Sequence, residues 1–223
     1  MHERYFARFI PLEKARGVPF GVFMEGEIPV RKLAGTRPIQ VIFYSNFIKS
    51  KGVDEALGCI PLVTRKNGNV KFLFVGAWDS EAHCRDLMRM AESVDIRGRV
   101  EFLGVVSGEA KRTCLQESDI FLLPTYYPHE GLPLALLEAM SYGCAVVTTD
   151  HAAISSAVAE GVNGFFCRAG DYEDLARRII QLVDDRELLL RMQERSLHKF
   201  RQLFTAERFG EGLAKELSSL MPI

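Results

Sequence analysis

The chain has 223 residues, of which 48% are hydrophobic and 26% charged. This composition is typical of a soluble globular protein, and the length suits one large domain rather than two full ones. The 28 basic and 29 acidic residues leave a formal net charge of −1, which argues against the basic surface expected of a nucleic-acid-binding protein.

Neither a membrane span nor a secretory signal is predicted. No apolar run approaches 18 residues, and the amino-terminal stretch MHERYFARFIPLEKARG is too charged for a signal peptide. The five cysteines are odd in number and form no CxxC pair, which indicates neither a disulfide framework nor a zinc site. We therefore expect a cytoplasmic protein.

Six short β-rich runs alternate with helical patterns along the chain. The predicted strands are QVIFYS (40–45), NVKFLFVG (69–76), RVEFLG (99–104), DIFLLPT (119–125), CAVVTTD (144–150) and NGFFCR (163–168). The predicted helices cover 52–63, 81–94, 108–117, a segment around Glu138, 152–159, 171–184, 186–201 and 205–220. This alternation predicts an α/β fold, a Rossmann-like doubly wound parallel sheet of about six strands with C-terminal helices.

Ligands of such sheets bind beyond the carboxyl ends of the strands. Small and polar residues follow five of the predicted strands, although turns alone also require such residues. Neither a GxGxxG nor a GxxxxGK[ST] loop is present, which disfavours a dinucleotide cofactor and an NTPase. An anionic ligand would have to bind the helix N-terminus at Gly131–Leu134 and Lys51, unless that lysine is merely solvated.

The stretch HEGLPLALLEAMSYGCAVVTTD (129–150) places Glu130 just before a helix and Glu138 inside it. Because the helix is almost wholly apolar around Glu138, we expect this carboxylate to be largely desolvated. A buried carboxylate needs hydrogen-bond donors. A polar ligand at the helix N-terminus would supply them; a backbone amide or an arginine is the structural alternative.

These residues resemble a known family. EGLPLALLEAMSYGCAVVTTD is similar to the signature of retaining glycosyltransferases of the GT-B fold, family 4-like (glycosyl transferases group 1), with its two glutamates separated by seven residues. SNFIKSKGVDEAL (45–57) resembles the family's phosphate-binding loop, and AVAEGVNGFFCRAGDYEDLARRIIQLVDD resembles its ending. The resemblance covers residues 18–217.

The resemblance implies transfer of a hexose from a UDP- or GDP-linked sugar to an acceptor hydroxyl of a saccharide or lipid, with retention. It implies no cofactor and no metal. Lys51 would bind the diphosphate and stabilise the leaving group, Glu130 would contact the donor sugar, and both are implied as catalytic. Glu138 would hold the ribose hydroxyls. The further donor-binding residues would be Ser45, Asn46, Ala77, Trp78, Leu103, Gly104, Val105, Gly131, Leu132, Pro133 and Leu134.

The chain departs from the family's pattern in two ways. Ser45–Asn46 stands where the family usually has Gly-Arg, and Asn cannot replace the arginine fork on a diphosphate. In addition, residues 1–35 resemble only the end of the N-terminal GT-B domain and its linker, whereas 36–223 resemble the donor-binding domain. We therefore expect the isolated chain to be inactive without its N-terminal domain.

Two other functions remain open: a nucleotide-sugar epimerase of the GT-B fold, and a non-catalytic nucleotide-sugar-binding module. The segment RMQERSLHKFRQLF (191–204) places several basic side chains near one another on a helix. It predicts either peripheral contact with anionic lipid headgroups or an ordinary solvated face. Asp79-Ser80-Glu81 resembles a metal-binding DxD but is interpreted as a helix N-terminal cap.

Overall fold

A computed structural model describes residues 18, 20–23, 37–92 and 96–220. Within this part of the chain a six-stranded sheet has the order β3-β2-β1-β4-β5-β6, and every neighbouring pair is parallel. The strands are β1 (Ile39–Tyr44), β2 (Val70–Val75), β3 (Val100–Gly104), β4 (Ile120–Leu123), β5 (Ala145–Thr149) and β6 (Gly164–Cys167). The predicted Rossmann-like fold and all six predicted strands are confirmed.

The central strands are buried on both faces, as near-continuous apolar runs predict for parallel strands covered by helices. Every residue of β4 and β5 is buried. β3 lies at one edge of the sheet, and its residues are only partly buried or exposed. The core is therefore centred on β1, β4 and β5.

The described helices follow the predicted alternation. They are α1 (Val53–Gly58), α2 (Ile60–Lys66), α3 (Glu81–Ala91), α4 (Gly108–Glu117), α5 (Leu134–Ser141), α6 (Ile154–Ala157), α7 (Tyr172–Asp184), α8 (Arg186–Leu203) and α9 (Ala206–Leu220), with a 3-10 turn over Lys49–Lys51. α1 and α2 contact α7, and α5 contacts α8, so helices pack on the strand layer and on one another. None of the described helices combines the length and apolar composition needed to cross a bilayer.

Two helix predictions were wrong in their bounds. The helix predicted over 52–63 is divided between α1 and α2 at Cys59. Pro61 stands in the first turn of α2, where a missing N–H is tolerated, so a new helix begins instead of the old one continuing. The helix predicted over 152–159 is shortened to the four residues of α6, and residues 93–95 beyond α3 lie outside the description.

The amino-terminal segment meets the C-terminal helices. Val22 forms an isolated parallel bridge with Thr205, and its amide donates to the carbonyl of Phe204 at 2.9 Å. The rings of Phe20 and Phe209 stack with their centroids 5.6 Å apart. The predicted domain boundary near residue 35 lies outside the described residues and stays a prediction.

Candidate functional site

The strand order reverses between β1 and β4, which are hydrogen-bonded neighbours at the centre of the sheet. Their crossovers leave towards opposite sides of the sheet, which opens a crevice beyond their carboxyl ends. Lys51 follows β1 and Glu130 follows β4. The topology therefore brings together two charged side chains that are 79 residues apart in sequence.

Lys51 and Glu130 form a largely buried ion pair. The Lys51 Nζ lies 2.8 Å from Glu130 Oε2, and the two side chains are 15% and 7% exposed. The same ammonium lies 4.5 Å from the centroid of the Tyr127 ring, within the range of a cation–π interaction. Lys51 is therefore not a solvated surface lysine, and its charge is balanced inside the crevice.

Hydrogen bonds hold the loop that carries Glu130. The buried Thr125 hydroxyl donates to Glu130 Oε2 at 2.9 Å, and the Tyr126 amide donates to the carbonyl of Ser50 at 2.8 Å. The Thr149 hydroxyl donates to the carbonyl of Thr125. Because Ser50 lies after β1 and Thr149 is the last residue of β5, three strands fix the orientation of the Glu130 carboxylate.

Gly52, the residue after Lys51, fixes the position of this lysine. Its backbone is left-handed, with φ of 83°, a conformation that only glycine adopts at low cost. A Cβ at this position would lie 2.5 Å from the carbonyl oxygen of Pro124. The turn after β1 therefore packs closely on the end of β4, and the lysine before it reaches Glu130.

The start of α5 borders the same crevice. Pro133 is the N-cap residue, no side chain caps the helix, and Leu134 is exposed. The carbonyl of Gly131 accepts a hydrogen bond from the Ala153 amide at 3.4 Å, which ties this loop to the end of β5. An uncapped helix N-terminus leaves backbone N–H groups for an anion.

The ends of β1, β2 and β3 are joined to one another. The Ala77 amide donates to Asn46 Oδ1 at 3.3 Å, and the Phe47 amide donates to the carbonyl of Ala77 at 2.8 Å. The Trp78 ring packs edge-on against Phe47 and lies 5.3 Å from the Phe102 ring. The Asn46 amide side chain therefore has a structural partner in the place where the family usually has a phosphate-binding arginine.

The predicted residues after β1, β2 and β3 share this edge of the sheet. Gly104 accepts a hydrogen bond from the Gly76 amide at 2.9 Å, and its φ is 66°. Leu103 and Val105 on either side of it are exposed. Ser45 lies against Gly76, where any side chain would overlap the Ser45 carbonyl. Apolar side chains are thus available beside the ends of β2 and β3.

Glu138 differs from the expectation in its partner. Its Oε1 lies 2.9 Å from the Lys111 Nζ of α4, and its side chain is 22% exposed. It borders a cavity of about 220 Å³ that Val22 and Phe23 also line. A lysine, rather than a backbone amide or an arginine, pairs with Glu138, and Glu130 is the more buried of the two carboxylates.

Tyr44 at the end of β1 is a neighbour of this pair. Burial and then the negative charge of Glu138 raise the pKa of the Tyr44 phenol above its ordinary value. Sequence reasoning missed Tyr44, Lys111, Thr125 and Tyr127. Tyr44, Lys111 and Tyr127 acquire their partners only through the folding of distant segments, whereas Thr125 lies five residues before its partner Glu130. Lys111 alone carried a usable signal, since it lies one turn into the helix that follows the predicted site residues 103–105.

The interpretation of Asp79-Ser80-Glu81 as a helix cap is confirmed. Ser80 is the N-cap residue of α3, and its hydroxyl accepts a hydrogen bond from the His83 amide at 3.2 Å. On α8, the basic side chains of the segment 191–204 that we singled out (Arg191, Arg195, His198 and Arg201) are exposed. Their contact with lipid stays a prediction.

A family model shows the protein family of this chain. The model of the family "Glycosyl transferases group 1" matches residues 25–199. The chain belongs to this family. The match includes the crevice between β1 and β4, α5 with Glu138, and most of α8.

Curated relatives are glycosyltransferases of about twice this length or more. The N-acetyl-alpha-D-glucosaminyl L-malate synthase of Bacillus anthracis is 31% identical over 168 residues, which are 75% of this chain and 42% of that protein. The putative colanic acid biosynthesis glycosyltransferase WcaL of Escherichia coli is 27% identical over 220 residues, or 95% of this chain and 52% of WcaL. The amylovoran biosynthesis glycosyltransferase AmsK of Erwinia amylovora is 27% identical over 66% of this chain and 36% of AmsK.

Solved structures share the fold of this chain. Anabaena HepE in complex with UDP and glucose superimposes with a TM-score of 0.74 at 21% identity, over 82% of this chain and 49% of HepE. The C-terminal domain of LpcC from Francisella tularensis gives a TM-score of 0.69 at 17% identity, over 76% of this chain and 89% of that domain. The chain therefore spans about half of the full-length HepE structure and most of an isolated C-terminal domain.

Proposed function

We propose that this chain is the donor-binding half of a retaining hexosyltransferase, which takes a nucleoside-diphosphate sugar and transfers the hexose to an acceptor hydroxyl. The observation that carries the proposal is the arrangement at the β1–β4 crevice. Lys51 is paired with Glu130, which precedes the uncapped N-terminus of α5, and the same helix carries Glu138 with its partner Lys111. This combination suits a ligand with an anionic centre and hydroxyl groups on both sides of it.

The diphosphate would bind to Lys51 and to the backbone of Gly131–Leu134. The positive end of the α5 dipole and the lysine both favour negative charge. As the bond between sugar and diphosphate breaks, negative charge grows on the leaving oxygen. Lys51 would stabilise this charge, an electrostatic contribution worth a few kcal/mol in general.

The two glutamates would bind the two ends of the donor. Glu138 would accept hydrogen bonds from the ribose hydroxyls, and Glu130 from the hexose. Leu103, Gly104 and Val105, with Ala77 and Trp78, would frame the nucleobase, since exposed apolar side chains and backbone lie at the ends of β2 and β3. Ser45 and Asn46 would border the diphosphate without supplying a charge.

The donor and acceptor classes rest on similarity. HepE has been crystallised with UDP and glucose, and WcaL and AmsK are named for colanic acid and amylovoran biosynthesis. We propose a UDP- or GDP-linked hexose as donor and a saccharide or lipid as acceptor. No metal or cofactor is part of the proposed reaction, and the N-terminal GT-B domain would bind the acceptor.

A nucleotide panel tests the proposal. Thermal shift followed by calorimetry would be run with UDP, GDP, ADP, TDP and inorganic phosphate on the 223-residue chain. We expect one nucleoside diphosphate to raise Tm and to bind more tightly than phosphate, and Lys51→Met to weaken that binding at least tenfold. A chain with an unchanged Tm that binds none of these nucleotides would contradict the proposed function.

A further inference from the structure

Lys51 and Glu130, which we call the crevice pair, neutralise each other. Their side chains are 15% and 7% exposed, so both charges are mostly removed from water. A buried charge whose partner is taken away is strongly unfavourable. Any anion that binds Lys51 is therefore also exposed to the negative charge of the Glu130 carboxylate beside it.

Glu130 has one oxygen engaged and one oxygen available. Both hydrogen bonds to its side chain, from Lys51 Nζ at 2.8 Å and from the Thr125 hydroxyl at 2.9 Å, reach Oε2. Among the described residues, none donates to Oε1. Since the Thr125 hydroxyl fixes the carboxylate from the side of β4, a ligand that carries hydroxyl groups can reach the second oxygen without breaking this arrangement.

Nucleoside diphosphates and their sugar derivatives differ in charge at this position. The terminal phosphate of a free diphosphate has a second pKa of about 6, so it carries almost two negative charges at pH 7. In the sugar derivative the same phosphate is a diester with a single charge. The free diphosphate also lacks the hydroxyl donors of the sugar.

Building on the proposed function, we propose that the crevice pair is a specificity determinant that disfavours the free nucleoside diphosphate relative to the nucleoside-diphosphate sugar. Lys51 attracts both ligands. Glu130 repels the extra charge of the free diphosphate, and it accepts hydrogen bonds from the sugar. The same carboxylate would thus help to hold the donor before transfer and to expel the diphosphate afterwards.

Removing the charge of Glu130 should change the affinities for the two ligands differently. Glu130→Gln keeps the size of the side chain and a carbonyl acceptor but removes the charge. We expect it to tighten binding of the free nucleoside diphosphate by roughly three- to tenfold, because a like charge within a few ångströms is removed. The nucleoside-diphosphate sugar should not bind more tightly, because it loses an ionised acceptor.

The experiment is calorimetry on the 223-residue chain with the pairs UDP and UDP-glucose, and GDP and GDP-mannose. Glu194→Gln on the exposed face of α8 is the matched control and should leave both affinities unchanged. If Glu130→Gln does not fold, judged by its Tm, Glu130→Ala carries the same prediction for the free diphosphate.

The outcomes separate this inference from the proposed function. Wild-type protein that binds a nucleotide pair, together with a Glu130 variant whose affinity for the free diphosphate is unchanged or weaker, would overturn the inference and leave the proposed function standing. Wild-type protein that binds neither pair would overturn both. A selective gain for the free diphosphate would support both.

Discussion

Glu130 and Glu138 differ in their surroundings, although the sequence presents them as a pair in one motif. Glu130 is held between Lys51 and Thr125 at the end of β4, whereas Glu138 lies on α5 and faces Lys111 and Tyr44. Each carboxylate already has a cation. Donor binding at this site would therefore rearrange existing ion pairs rather than neutralise an unpaired carboxylate.

This difference predicts unequal effects of the two alanine substitutions. Glu138→Ala should weaken binding of a nucleoside diphosphate, whereas Glu130→Ala should not, because only Glu138 is assigned to the ribose. Removing a hydrogen-bonding carboxylate at a nucleotide site costs about 1.5–3 kcal/mol, or roughly 10- to 150-fold in affinity. Titration calorimetry with both variants measures this directly, and equal losses would contradict the assignment.

Asp174 gives a second test at the scale of one residue. Burial acts to raise its pKa, but a hydrogen bond from the Arg168 amide at 2.8 Å and the Arg177 guanidinium at 2.8 Å outweigh it, and the pKa of Asp174 lies below its ordinary value. A lowered pKa in the folded state stabilises the protein above the unfolded pKa of about 3.9. This stability is lost as the pH falls through the folded value.

We therefore expect Asp174→Asn to lower the free energy of unfolding by about 1–3 kcal/mol at pH 7. The difference from wild type should shrink as the pH falls below about 4. Urea denaturation at a series of pH values provides the measurement, with exposed Asp79→Asn as the control. A loss that is the same at pH 7 and pH 3 would show that charge is not its cause.

Some residues of the site could be predicted and others could not. Lys51 and Glu130 were each identified from local sequence, but their contact across 79 residues depends on β1 and β4 being neighbours. The position of Lys111 after the predicted residues 103–105 was a usable signal, but its pairing with Glu138 could not be predicted, because α4 approaches α5 only in the folded sheet. Local patterns therefore identify chemical groups, whereas the strand order decides which of them meet.

The strands were easier to predict than the helices at the scale of elements. Buried parallel strands are short apolar runs bounded by turn residues, and all six were recognised. The break between α1 and α2 was missed because Pro61 and Cys59 lie within an otherwise helical pattern. A helix and two successive helices present nearly the same periodicity over twelve residues.

The contact between the turn after β1 and the end of β4 is testable at this scale. Gly52→Ala should destabilise the protein by about 2 kcal/mol or more, because a Cβ must accept a left-handed backbone and also lie 2.5 Å from the Pro124 carbonyl oxygen. Gly161→Ala is the matched control, since Gly161 has φ of 73° but no atom within 4 Å of the position that a Cβ would take.

The control should lose only the backbone contribution of about 1–2 kcal/mol. Urea denaturation of the two variants yields the difference. If Gly52→Ala is no less stable than Gly161→Ala, the close approach to Pro124 is not needed for the fold. If it is less stable, nucleotide affinity should fall as well, because Lys51 precedes the displaced glycine.

The whole molecule corresponds to part of a larger architecture in its relatives. The chain spans between 36% and 52% of AmsK and WcaL, and it covers 89% of the isolated C-terminal domain of LpcC. In the GT-B fold the acceptor site lies partly on the other domain. Donor binding and sugar transfer should therefore separate in this chain.

We expect the 223-residue chain to bind UDP or GDP but to transfer no sugar. The measurement is incorporation of radiolabelled hexose from UDP-glucose and GDP-mannose into saccharide and lipid acceptors. Robust turnover by this chain alone would contradict the assignment of residues 36–223 as only the donor-binding domain. Isomerised nucleotide sugar without an acceptor would instead support an epimerase.

The central claim is that an activated sugar binds in the crevice between β1 and β4. A crystal structure of the chain soaked with the nucleoside-diphosphate sugar that binds best tests it most directly. We predict density for the diphosphate against Lys51 and the start of α5, with the ribose at Glu138. Density for the ligand at any place remote from these residues would contradict the account.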